Sequence, residues 1–220
     1  TPLNVFKKLT STMNIEAVFC NKDYEPYGIK RDLEIHTFLK SSNITLSSFK
    51  DHVIFEENEI IKADKTAYKV YTPYSKKWIA SLKKESFTSY PSIDNINNFF
   101  NSEKAEILSM DEIGFETPNF KIPKYNIHPN LINNYEAKRN FPGIDATSKL
   151  GIHLRFGTVS IRNIVSEAKK SDNITFLKEL IWREFFMQIL WHYPQTINKA
   201  FKPKYDTIVW RNSEQEFKKW

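Results

Sequence analysis

The first third of the chain sets short apolar runs on either side of a helical pattern. Residues 15–20 (Ile15, Glu16, Ala17, Val18, Phe19, Cys20) are mostly apolar and are closed by Asn21, which predicts a buried strand. Pro26 can open the next helix, and residues 31–40 place Leu33, Ile35, Phe38 and Leu39 at helical spacing. Asp51, His52, Val53, Ile54 and Phe55 predict a second strand, ended by Glu56, Glu57 and Asn58. Strand, helix, strand implies a parallel sheet with a right-handed crossover. Two strands make no stable sheet alone, and the chain opens on a helix-like stretch, so further strands are expected upstream.

Residues 62–130 follow a different pattern. The stretch from Tyr71 to Trp78 predicts a turn feeding a short helix, with Thr72 as N-cap and Pro73 at the first helical position. After Glu85 come Ser, Asn and scattered aromatics, with Pro91, Pro118, Pro123 and Pro129, over a length well beyond an ordinary connection. This predicts an interdomain linker lying on the surface. From Leu131 onward the pattern is helical. Ser160 can cap a helix running to Ala168, and residues 174–191 form the strongest helix of the chain. Its apolar positions include Ile174, Leu177, Leu180, Ile181, Phe185, Ile189 and Leu190; being apolar nearly all round, it predicts burial within a larger bundle than the remaining residues supply. The expected division is therefore 1–64, partial α/β domain; 65–130, linker with short helices; and 131–220, part of a helical domain.

Composition narrows the chemistry. At 220 residues, 40% hydrophobic and 26% charged, the chain is an ordinary globular one. It has no apolar run near the ~18–20 residues that cross a bilayer, and its start leads into no signal-peptide core. One cysteine, Cys20, excludes an internal disulfide or a multi-cysteine metal site, and a cytoplasmic location is the simplest expectation. Five glycines form neither G-x-G-x-x-G nor a Walker loop, and five histidines form no H-E-x-x-H pair, so no metal site is expected. The aromatic content of 15% accompanies a net charge of +6. Basic charge with many rings fits a nucleic-acid partner, although a Lys- and Asn-rich proteome produces the same balance without function.

Two segments carry candidate chemistry. In Asp145-Ala146-Thr147-Ser148-Lys149-Leu150-Gly151, hydroxyls and backbone N–H groups precede an apolar stretch; this is either a phosphate site or a plain N-cap. In Glu179-Leu180-Ile181-Trp182-Arg183-Glu184, the i,i+4 spacing lets Glu179 pair with Arg183 beside Trp182. Charges on a buried helix are costly unless paired or facing a ligand cavity, so this is either a structural ion pair or a site. Phe99-Phe100, Phe185-Phe186 and Trp210 share that ambiguity, and His153 and His192 read as hydrogen-bonded structural residues.

Taken in order, these segments resemble the DNA photolyase/cryptochrome family, of the class I cyclobutane pyrimidine dimer photolyase type. The resemblance rests on residues 21–32 (Asn-Lys-Asp-Tyr-Glu-Pro-Tyr-Gly through Lys30-Arg31-Asp32) and on residues 70–78 (Val-Tyr-Thr-Pro-Tyr-Ser-Lys-Lys-Trp). It continues through Tyr135-Glu136-Ala137-Lys138-Arg139-Asn140-Phe141-Pro142 with Thr147-Ser148-Lys149-Leu150, then residues 153–162, and the stretch from Glu179 to Phe186. The resemblance implies an internal portion of a longer protein: the last part of a Rossmann-like antenna domain, a long linker and the first part of a helical FAD-binding domain. It implies FAD contacts at Tyr135, Thr147, Ser148, Lys149, Leu150, Gly151 and Arg183, and a DNA contact at Arg139. Glu179 and Trp182 match the mouth of the lesion pocket, where the Trp packs on the flipped dimer and the Glu hydrogen-bonds a base. Trp210 matches the surface end of a tryptophan chain that photoreduces the flavin.

The implied activity is that of a deoxyribodipyrimidine photolyase, a carbon–carbon lyase for damaged DNA in which reduced FAD passes a photoexcited electron to the dimer. A second antenna chromophore of unknown identity is implied, and no membrane or protein partner. The chain departs from the family at Gly151, which replaces a serine and removes one hydroxyl to the flavin, and at Tyr27-Gly28, which replaces the Asn-Glu that binds a folate antenna in some members. It also stops before the family's Gly-x-Thr-Gly-x-Pro and Asp-Ala-x-Met-Arg stretch, so the 220-residue chain alone is expected to be inactive and flavin-free. The alternatives are a cryptochrome-type photoreceptor without repair activity and a basic module that binds nucleic acid without flavin.

Overall fold

Thr1 caps α1 (Pro2–Thr12), its hydroxyl accepting from the Asn4 amide at 3.3 Å. A strand forms where one was predicted at residues 15–20, as β1 (Ala17–Asn21), but it is not buried, Phe19 being 68% exposed; α2 (Pro26–Ser41) follows with Pro26 in its first turn, burying Ile35 and Leu39. Its partner strand is β2 (Thr45–Phe49), which runs parallel to β1 with Ala17 opposite Thr45 and Asn21 opposite Phe49. The computed structural model describes residues 1–87, 90–100, 106–116 and 118–220. The linker expected at 65–130 thus falls partly outside the described residues; Tyr90, Phe99 and Phe100 are exposed as a surface linker requires, whereas Tyr74 and Trp78 are buried.

The second strand expected at residues 51–55 does not form, although Val53, Ile54 and Phe55 are deeply buried. Buried main chain must find hydrogen-bond partners, and here side chains supply them in place of a ladder. Glu184 accepts from the amides of Ile54 (2.6 Å) and Phe55 (3.2 Å), Gln188 donates to the Phe55 carbonyl (3.2 Å), and Arg183 donates to the His52 carbonyl (2.7 Å).

The chain divides into two compact units, Thr1–Ser81 with Ile181–Trp220, and Leu82–Leu180. In the first, α3 (Tyr71–Ser81) begins one residue ahead of the predicted cap, Thr72, and buries Tyr74, Ser75 and Trp78. In the second, α4 (Pro129–Lys138) is capped by the His128 ring, α5 (Leu150–Arg155) is short, and α6 (Ile161–Ala168) buries Ile161, Ile164, Val165 and Ala168 on one face. Ser160 does occupy the α6 N-cap position, but its hydroxyl makes no capping bond.

The strongest predicted helix forms as α7 (Thr175–His192), and the division between the units falls within it. It is not buried all round: Phe186 is 61% exposed, while Leu177, Ile181, Glu184 and Gln188 lie on its buried stripe. A final helix, α8 (Glu214–Lys219), is capped by Ser213. Among the described residues no helix is long and apolar enough to cross a membrane.

Candidate functional site

In the second unit, three of the predicted site residues meet. Tyr135 and Arg139 stand four residues apart at the C-terminal end of α4 and therefore share a face. The Arg139 guanidinium lies over the Tyr135 ring, 5.7 Å from its centroid, and pairs with the carboxylate of Glu179. Tyr135 in turn meets the ring of Phe176 edge-on at 5.1 Å. Phe176 and Glu179 are three residues apart on α7, so a ring contact and an ion pair form adjacent rungs from α4 to this turn. Burial pushes the Tyr135 phenol up, the Glu179 charge adds to the shift, and the Arg139 charge opposes it.

The pairing predicted between Glu179 and Arg183 gives way to other partners: Glu179 takes Arg139, and Arg183 donates to the His52 carbonyl. Nor is Glu179 the buried carboxylate that the helix pattern suggests, since its side chain is 39% exposed.

Residues 145–151 lie in the same unit. Ala146 and Leu150 are buried, Thr147 and Ser148 half-buried, and Lys149 and Gly151 exposed. The N-cap of α5 is Lys149, held in the left-handed region (φ 56°), so neither Thr147 nor Ser148 is the plain N-cap that spacing allows. Lys149 pairs with Asp145 at 2.9 Å, and the Asn126 amide donates to the Ser148 carbonyl at 2.8 Å. A Cβ at Gly151 would meet nothing within 4 Å, so the lost hydroxyl reflects no steric demand. Beside this segment is a cleft of ≈ 220 Å³ lined by Asn126, His128, Asn130, Asn134, Lys138 and Asp145.

In the first unit, Trp182 lies flat on Tyr71 of α3, with centroids 3.6 Å apart and planes 5° from parallel, and Phe186 stacks at 5.5 Å. Burial lowers the Arg183 pKa, and the neighbouring Glu184 charge works against that shift. Trp210 is 70% exposed. His192 binds the Glu57 carbonyl at 2.7 Å, a structural bond of the kind expected for it. In the second unit His153 likewise bonds Thr158 and the Pro123 carbonyl, each at 2.9 Å.

Glu184 is the residue that sequence reasoning missed. Besides the Ile54 and Phe55 amides, its carboxylate accepts from the Trp78 indole N–H (2.6 Å) and the Tyr74 hydroxyl (3.4 Å). Burial raises its pKa to about 7 against the opposing pull of these donors. Its signal was the heptad-like spacing 177, 181, 184, 188, which sets a carboxylate and an amide on the buried stripe of α7.

The sequence matches the family model for DNA photolyase over residues 1–92 and that for the FAD binding domain of DNA photolyase over residues 176–220. The chain belongs to the DNA photolyase/cryptochrome family. A deoxyribodipyrimidine photo-lyase of Alkalihalophilus pseudofirmus is 28% identical, with 97% of this chain and 48% of the relative aligned. One from Synechococcus is 25% identical over 100% of this chain and 51% of the relative. A class III photolyase structure from Agrobacterium tumefaciens superposes with a TM-score of 0.77 at 22% identity, covering 99% of this chain and 49% of that one. The Synechocystis cryptochrome gives a TM-score of 0.70 at 13% identity over 100% of this chain and 50% of that one. The chain thus spans about half the length of the family members it matches, and its fold is photolyase-like, a small parallel sheet with helices.

FAD is the cofactor of the matched domain, and the residues here fit part of it. Thr147 and Ser148 are half-buried, and their hydroxyls can donate to an anionic pyrophosphate. The adjoining ≈ 220 Å³ cleft falls short of the roughly 300–1,000 Å³ of a typical ligand site, so it has room for no more than a portion of a dinucleotide.

Proposed function

We infer that this protein is a light-driven DNA repair lyase acting on cyclobutane pyrimidine dimers. The observation that carries the reading is the contact chain Tyr135–Arg139–Glu179, which joins residues assigned by resemblance to flavin, DNA and damaged base. In this reading residues 1–64 belong to a Rossmann-like antenna domain, 65–130 to a linker, and 131–220 to a helical FAD-binding domain. Tyr135, Thr147, Ser148, Lys149, Leu150, Gly151 and Arg183 hold FAD, whose reduced form supplies the photoexcited electron that opens the dimer ring. Trp182 offers its indole to the flipped dimer, with Tyr71 supporting the ring from behind, and Glu179 accepts from a base N–H. Arg139 takes a backbone phosphate, and Trp210 is the surface end of the electron path. Taking a base out of the stack costs a few kcal/mol, least for a damaged one, which favours dimers over intact sites.

The test uses protein expressed from the intact gene, loaded with FAD and reduced, on ultraviolet-irradiated oligothymidylate. Blue light should restore monomer absorbance, and darkness should not. Trp182→Ala should weaken dimer binding by roughly 1–3 kcal/mol through lost stacking, with flavin content unchanged. The fold likeness to the Synechocystis cryptochrome favours a second reading, a flavin photoreceptor without repair. Flavin-loaded protein that leaves dimers intact under light supports that one.

A further inference from the structure

The charges of Arg139 and Glu179 are spent on each other. Both side chains are about one-third exposed (32% and 39%), so the pair is within reach of a ligand, and an ion pair this open is weak enough to be exchanged. The Tyr135 ring beneath the guanidinium gives Arg139 a second, weak contact that does not depend on Glu179. A phosphate approaching Arg139 meets the negative charge of Glu179 beside it. A carboxylate has no donor to offer, and its natural replacement partner is an N–H. Stacked, paired bases keep their Watson–Crick N–H groups within the duplex, whereas a base turned out of the stack presents them.

We propose that Glu179 masks Arg139, so that the guanidinium takes a backbone phosphate fully only when an extruded base engages the Glu179 carboxylate through its N–H groups. This rests on the repair reading for the identity of the ligand. It adds a specificity device: base recognition and phosphate binding, each weak alone, are coupled through one ion pair, and the coupling is reciprocal. Discrimination then includes a repulsive element against intact DNA as well as attraction to the lesion.

The test measures binding of an undamaged duplex, in which the Watson–Crick N–H groups of the bases are occupied, by the parent, Glu179→Gln, Arg139→Gln, the double variant, and Glu179→Gln combined with Arg139→Lys. Glu179→Gln should bind about 2–5-fold more tightly than the parent, as expected for releasing an exposed ion pair. That gain should vanish in the Arg139→Gln background and persist in the Arg139→Lys one. Matched thermal-unfolding midpoints for the variants ensure that a gain is read from folded protein, because an unfolded basic chain also binds DNA. An equal gain in the Arg139→Gln background would mean that only net charge matters, and no gain at all, or none beside Arg139→Lys, would likewise overturn the mask. Failure of the repair reading is seen separately, as a parent that shows no preference for a dimer-containing duplex.

Discussion

Four donors converge on the Glu184 carboxylate, two of them the amides that would otherwise need a strand partner. Replacing it with alanine leaves the Ile54 amide and the Trp78 indole N–H buried without an acceptor. At roughly 1–3 kcal/mol for each, Glu184→Ala should cost about 2–6 kcal/mol in urea unfolding. The pH dependence follows from a folded pKa of about 7 against an ordinary 4.5. Below the unfolded value both states hold the proton, and the contribution is fully present. Between the two values the unfolded chain has released the proton while the folded one keeps it, so stability falls as pH rises and the contribution is gone above the folded value. At 1.36 kcal/mol per unit this amounts to something on the order of 3 kcal/mol. Glu184→Gln cannot titrate. Its stability relative to the parent should therefore improve by that order between about pH 5 and about pH 8, and a difference that stays constant across this window would show that Glu184 does not change ionisation there.

Among the elements, the start of α2 depends on a close approach. A Cβ at Gly28 would lie 2.5 Å from Cβ, Cγ and Oδ2 of Asp23, whose Oδ1 accepts the Glu25 amide at 2.9 Å as the helix begins. Gly28→Ala gains helix propensity but must push Asp23 aside, and should destabilise by about 1–3 kcal/mol in thermal unfolding. An unchanged midpoint would mean that Asp23 yields freely. The same crowding bears on the missing Asn-Glu pair, because a glutamate at 28 would need the space Asp23 fills.

β1, α2, α6 and α7 were legible because each carries its own apolar period. β2 was not: Thr45-Leu46-Ser47-Ser48-Phe49 is too polar to stand out, while residues 51–55 look like a strand because they are apolar and buried. What decided between them was Glu184, Arg183 and Gln188, some 130 residues away, which no local pattern reports. The site divides the same way. Tyr135 and Arg139 could be set on one face from spacing alone, but spacing within α7 suggested Arg183 for Glu179, when the partner came from α4.

At the scale of the whole molecule, 32 basic against 26 acidic residues give the +6 charge, and under the proposed repair function charge sets how binding to DNA would respond to salt. Affinity falls with the logarithm of salt concentration at a slope of about −0.9 per phosphate neutralised on duplex DNA, whereas stacking and hydrogen bonding to a base carry almost no slope. A lesion read only by Trp182 would therefore change affinity and leave the slope untouched. A lesion that also unmasks Arg139 adds one phosphate contact, so the slope for a dimer-containing duplex should be steeper by about 0.7–0.9 than for an undamaged one. Glu179→Gln, with Arg139 already unmasked, should bring the two slopes together by steepening the undamaged one. Trp182→Ala should lower dimer affinity at every salt concentration with the slope difference preserved as long as a base still reaches Glu179. Equal slopes for the two duplexes in the parent protein would mean that any preference for the lesion is made by contacts to the base alone, with Arg139 engaged to the same extent on both.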